Sequence, residues 1–90
     1  MNLKHLNINI YGLVQGVFFR TSAKEQADSL NLTGFAKNMP DGSVYIEAEG
    51  EENSLDKFVK WCNSGPSMAR VEKVVVSEGS LKNFKEFEVH

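Results

Sequence analysis

Apolar and polar residues alternate through Leu6-Asn7-Ile8-Asn9-Ile10, which predicts a strand over about 4–12 with one apolar face. The next segment changes period. Ala23, Ala27 and Leu30 fall on one stripe at helical spacing and predict a helix over about 22–32. Ser22 and Glu25 stand at capping-box spacing at its start, and Gly34 supplies its stop. A strand follows over about 34–39. Pro40-Asp41-Gly42 then reads as a turn, because proline presets φ and glycine accepts positive φ. Beyond it Val44, Ile46 and Ala48 alternate with Tyr45, Glu47 and Glu49, so a strand over about 43–50 turns its aliphatic side inward and its acidic side to solvent. These two strands make a hairpin. Leu55, Phe58, Val59 and Cys62 mark the buried stripe of a second helix over about 54–63, ended by Gly65-Pro66. Val74-Val75-Val76 centre a strand over about 69–78, and after Glu78-Gly79-Ser80 a short last strand lies near 84–89.

The order βαββαβ plus a terminal strand predicts an α+β, ferredoxin-like sandwich. A right-handed crossover leaves one strand's width between the first two strands, and the third fills it. The antiparallel sheet then has order 4-1-3-2 with a short C-terminal strand at an edge, and both helices lie on one face. Strands one and two are parallel in that arrangement. The loop after the first and Asn38 near the end of the second therefore meet at one rim, about 10 Å apart by two strand spacings.

The chemistry sits at that rim. Tyr11-Gly12-Leu13-Val14-Gln15-Gly16-Val17-Phe18-Phe19-Arg20 joins a strand to a helix N-terminus, so several backbone N–H groups and the positive end of the helix dipole converge on one small volume. Arg20 is a cation where the dipole disfavours one, which implies an anion beside it. Amides and a guanidinium together match a phosphoryl group. No covalent route is apparent. The slot six positions before the arginine, which holds the cysteine in cysteine-dependent phosphatases, is Val14, and no serine, aspartate or histidine lies between Gly12 and Arg20. Neither metal-ligand spacing nor a Walker lysine accompanies the loop. Water must then attack phosphorus directly, which restricts fast turnover to good leaving groups such as the carboxylate of a carboxyl-phosphate anhydride.

Gly12-x-Val14-Gln15-Gly16-Val17-x-Phe19-Arg20 resembles the phosphate-loop motif of the acylphosphatases. Gly34-Phe35-Ala36-Lys37-Asn38 followed by Gly42-Ser43-Val44 resembles their second motif, and the likeness runs from the first strand to the last. It implies a hydrolase of acyl phosphates that uses no metal and no cofactor. The amides of Gln15, Gly16, Val17, Phe18, Phe19 and Arg20, with the Arg20 side chain, would hold the phosphate, and Asn38 would orient the water. Inorganic phosphate or sulfate is the expected site ligand besides the small-molecule substrate. Two features depart from the pattern. Met39 replaces a frequent threonine, and Val89-His90 stand where many members have a basic and an aromatic residue near the arginine's support.

Composition narrows the alternatives. Ninety residues at 41% hydrophobic content suit one domain, 1–90, with a modest core. A net charge of -2 argues against general nucleic-acid or anionic-membrane binding, and no apolar run approaches a span. The one cysteine, Cys62, forms no internal disulfide and suits a reducing cytoplasm. A monomer is expected. The competing reading is a non-enzymatic ligand- or anion-binding module on the same topology. An RNA-binding version is disfavoured, because Ser43-Val44-Tyr45-Ile46-Glu47-Ala48-Glu49 carries one aromatic and two acids. His5 and His90 lie outside both motifs and read as packing or surface residues. Glu47, Glu49, Glu51 and Glu52 read as a solvated acidic run. The Gln15 side chain either joins the site or braces the loop.

Overall fold

The computed structural model describes residues 2–90, and its elements follow β1 (Leu3–Leu13), α1 (Phe19–Ser29), β2 (Thr33–Asn38), β3 (Val44–Glu51), α2 (Glu52–Cys62), β4 (Arg70–Gly79) and β5 (Phe87–Val89). The sheet order is β4-β1-β3-β2-β5. The first four strands have the expected 4-1-3-2 order and are antiparallel, while β5 adds to the free edge of β2 in parallel. Alternation decides which residues face the helices. Ile8, Ile10, Val44, Ile46 and Ala48 are all fully buried, and Phe19, Ala23 and Ala27 of α1 meet them together with Leu55, Phe58 and Cys62 of α2. Trp61 is half-buried and closes the end of this core against Phe19 and Phe58, with ring centroids 5.3 and 6.1 Å away.

The first helix differs from the expectation at both ends. It begins at Phe19, not at Ser22. The Ser22 N–H donates to the Phe18 carbonyl at 3.1 Å as an ordinary helical bond, so Ser22 and Glu25 do not form a capping box. At the other end the left-handed residue is Asn31 (φ 58°), with Leu32 N–H donating to Ala27 O and Asn31 N–H to Asp28 O, a Schellman closure. Gly34 has another task. It lies within β2 at φ 143°, where a Cβ would come within 1.8 Å of the Glu47 carbonyl oxygen, so strand approach and not helix termination demands glycine there. The second helix begins at Glu52, directly after β3, and the last strand is shorter than expected, starting at Phe87.

The acidic run is also corrected. Glu47 and Glu49 are 6% and 5% exposed, although they face away from the helices. The segment 80–86 crosses that face of the sheet on its way to β5 and covers them. Glu49 accepts hydrogen bonds from the Lys82 and Phe84 main-chain N–H groups, and Glu47 accepts one from Lys82 Nζ at 2.8 Å. His5, buried beneath the same segment, places Nδ1 2.7 Å from Glu49 and Nε2 3.2 Å from Glu47. Alternation identified the face of these carboxylates but carried no information about what lies over it.

Burial alone would raise both carboxyls. Hydrogen bonds from Lys82, with Tyr45 on Glu47 and with His5 and Phe84 on Glu49, outweigh it and hold both below the usual range. Tyr45 moves the other way, pushed up to about 12 by burial and by its bond to Glu47. A depressed carboxylate stabilises the fold above the unfolded-state value of about 4.3 and loses that contribution as pH falls through the lower folded value. The melting temperature should therefore drop below about pH 4, and Glu49→Gln should flatten that drop. Parallel pH profiles for the two proteins would show that the buried carboxylate is not the acid-sensitive element.

Candidate active site

β1 and β2 both run antiparallel to β3, so the loop after β1 and the end of β2 open on the same rim. The loop is pinned from below by Val14, Val17 and Phe19, which are 1%, 6% and 2% exposed. Between these anchors Gly16 (φ 75°) and Phe18 (φ 64°, ψ 26°) take left-handed conformations that turn the backbone sharply. For Phe18 that conformation costs about 1–2 kcal/mol. Phe18 is also the N-cap of α1, and no side chain caps the helix there. The first-turn N–H groups at the dipole's positive end are thus left without a side-chain cap where the loop enters the helix, an arrangement suited to an anion. Just before the loop, within β1, Gly12 (φ 130°) lies at a register shift between β1 and β4, where a Cβ would meet the Arg70 carbonyl oxygen at 2.1 Å.

Arg20 is the second residue of α1 and is half-exposed. Its Nη1 donates to the His90 main-chain oxygen at 2.6 Å, so the far end of the chain holds the guanidinium. His90 is itself fixed. Its N–H donates to Ala36 O at 2.9 Å, and its ring stacks on Phe35 with centroids 4.8 Å apart and planes 6° from parallel. Lys24, one turn along the helix, donates to the Phe87 carbonyl at 2.8 Å and ties α1 to β5 a second time. The Val89-His90 ending therefore supports the arginine despite its departure from the family pattern.

Asn38 ends β2, pairs in register with Val44 and is exposed. The turn beside it is closed by Gly42 N–H donating to Met39 O at 3.1 Å and Met39 N–H to Ser43 O at 2.8 Å. Asp41 accepts bonds from the Ser43 hydroxyl and N–H, which hold its carboxyl below the usual range. The Gln15 side chain bridges the loop to this turn. Its Nε2 donates to Met39 O at 2.8 Å and to Ser43 O at 3.0 Å, linking the loop to the residue next to Asn38. The hydroxyl expected of a threonine at position 39 is absent, and the main-chain oxygen of Met39 makes the connection.

The loop after β1 and the end of β2 thus lie on one rim, joined by Gln15 next to Asn38. Lys24 was not foreseen there, and neither was the particular bond from Arg20 to His90. Ser43 stood in the second motif and was readable as part of it. His90 and Lys24 depend on where β5 docks, which no local pattern reveals. Among the described residues no three His, Cys, Asp or Glu side chains form a metal-binding group, and no helix is long and apolar enough to cross a membrane.

Comparison with known proteins gives a consistent result. The acylphosphatase family model matches residues 6–89. An acylphosphatase of Acaryochloris marina is 46% identical over 98% of this chain and 95% of its own length. The solved acylphosphatase of Bacillus subtilis superposes with a TM-score of 0.94 at 38% identity, covering 99% of both chains. That of Coxiella burnetii gives 0.96 at 36% identity, over 99% of this chain and 94% of the other. With a family model matched from the first strand to the last and relatives alike over nearly their whole length, the chain belongs to the acylphosphatase family, hydrolases that cleave the carboxyl-phosphate bond of acyl phosphates.

Proposed function

We propose that the phosphate of the substrate is gripped by the N–H groups of Gln15, Gly16, Val17, Phe18, Phe19 and Arg20 and by the Arg20 guanidinium, while the Asn38 amide aims a water at phosphorus. The water oxygen forms the new P–O bond as the bond from phosphorus to the acyl oxygen breaks. The electron pair leaves on the carboxylate, and the water's proton passes to a phosphate oxygen. Catalysis is then positioning and charge stabilisation, with no side chain becoming phosphorylated. The observation that carries this reading is the Gln15 brace, because it fixes the distance between the anion cradle and the strand end that bears Asn38. The same reading has the enzyme acting as a monomer in the cytoplasm, where the buried thiol of Cys62, pushed up by burial, stays inert.

Hydrolysis of benzoyl phosphate in ¹⁸O water with EDTA present tests the mechanism. The label should enter phosphate and not benzoate, without a pre-steady-state burst, and p-nitrophenyl phosphate should turn over far more slowly. Label in benzoate, a stoichiometric burst or a requirement for Mg²⁺ would each overturn it.

A further inference from the structure

We propose that His5, buried on the face of the sheet away from the helices, is a positioning residue for Arg20 and acts through the rings of Phe84, Phe35 and His90. The proposal rests on the mechanism above, in which the Arg20 guanidinium grips the phosphate. That mechanism does not use His5. The residue is nevertheless 1% exposed, with a polar partner on each ring nitrogen: Glu49 at Nδ1, and Asn7 at Nε2. Stability alone does not ask for a polar cluster here, because well-packed apolar residues serve a buried position as well or better.

The contacts of His5 lead in one direction. Nδ1 lies 2.7 Å from Glu49, whose carboxylate accepts from the main-chain N–H groups of Lys82 and Phe84. The imidazole also stacks on the Phe84 ring, with centroids 6.0 Å apart and planes 29° from parallel. Phe84 meets Phe35 edge-on at 5.8 Å, and Phe35 stacks on His90 at 4.8 Å. The His90 main-chain oxygen then accepts from Arg20 Nη1. Four rings in series thus join the buried cluster to the guanidinium. The first ring has a firm footing. Gly79 of β4 stands so close on its other side that a Cβ there would come 3.0 Å from the imidazole. Segment 80–86 contains no helix or strand of its own, so it takes its course into β5 from these contacts and from Gly34 N–H donating to Glu86 O at 3.0 Å.

The test measures kcat/KM for benzoyl phosphate in single and double variants, with urea denaturation showing that each is folded. His5→Leu fills the space but leaves Glu49 without its ring partner. It should lower kcat/KM about tenfold and raise KM, since a small misplacement far from the chemistry is enough for such a loss. His5→Asn returns a donor near the Nδ1 position and should recover kcat/KM to within about threefold of wild type. In an Arg20→Ala background, His5→Leu should cost less than about twofold, because no guanidinium remains to be misplaced. Phe84→Leu interrupts the ring series while sparing the main-chain bonds to Glu49. It should show the same dependence on Arg20, and it carries the test if His5→Leu does not fold. Equal losses in the two backgrounds, or wild-type kinetics in both His5→Leu and Phe84→Leu, overturn the positioning role. The two ideas fail separately. Wild-type kcat/KM in Arg20→Ala alone defeats the cradle reading, whereas a large loss there with additive effects of His5→Leu removes only the role of His5.

Discussion

Replacing Arg20 with alanine should lower kcat/KM for an acyl phosphate by about 10³ or more, equivalent to about 4 kcal/mol of transition-state stabilisation. The change should appear in both parameters. On the proposed mechanism, KM and the inhibition constant for inorganic phosphate rise because the guanidinium would bind the ground-state dianion, and kcat falls because the same group would meet charge that shifts during transfer. The loss should not be one of folding. Arg20 is half-exposed, and its hydrogen bond to the His90 main-chain oxygen is a surface interaction whose removal costs about 1 kcal/mol. Arg20→Lys distinguishes charge from shape. Lysine keeps the charge but loses the planar fork that can donate to His90 and to a phosphate oxygen together, so it should recover little of the activity. Activity within about threefold of wild type in Arg20→Lys would show that a point charge suffices.

The reason Arg20 is already placed for this task lies in the fold. A cation in the first turn of a helix is repelled by the dipole, and its long side chain is free to leave. Here β5, three residues long, is laid parallel to β2 and brings His90 back across the rim to hold the guanidinium. The buried carboxylates Glu47 and Glu49 anchor the segment that leads into β5, so an acidic pair at the middle of β3 contributes to the position of an arginine in α1.

That connection marks the limit of what the chain discloses as text. Local rules found what is local. Period-2 alternation named Val44, Ile46 and Ala48 as inward, helical spacing named Leu55, Phe58 and Cys62, and crossover handedness supplied the strand order. They also brought Arg20 and Asn38 to one rim, since both follow parallel strands. They failed where identity and environment part. Ser22 and Glu25 imitate a capping box, but the helix starts just after a left-handed phenylalanine, Phe18, a conformation that aromatic residues do not advertise. Asn31 and Gly34 are both plausible helix stops, and only the closeness of Glu47 O explains why the glycine is the later one. The burial of Glu47 and Glu49, and the grip of His90 on Arg20, arise from segments far apart along the chain, and no window of sequence contains both partners.

Asn38→Ala should lower kcat by about 10² to 10³, with KM and phosphate inhibition within about threefold of wild type. The asymmetry follows from what the amide touches. Asn38 is proposed to contact the water and not the phosphate, so its loss leaves the ground-state grip of the cradle intact while the nucleophile becomes unaligned. Stability should barely change, because the side chain is exposed at the end of β2 and the main-chain pairing with Val44 survives the substitution. Urea denaturation beside steady-state kinetics checks both halves. A KM that rises in step with the fall in kcat/KM would make Asn38 a substrate-binding group. Wild-type kinetics would remove it from the reaction altogether and leave the attacking water to be positioned by the anion it attacks.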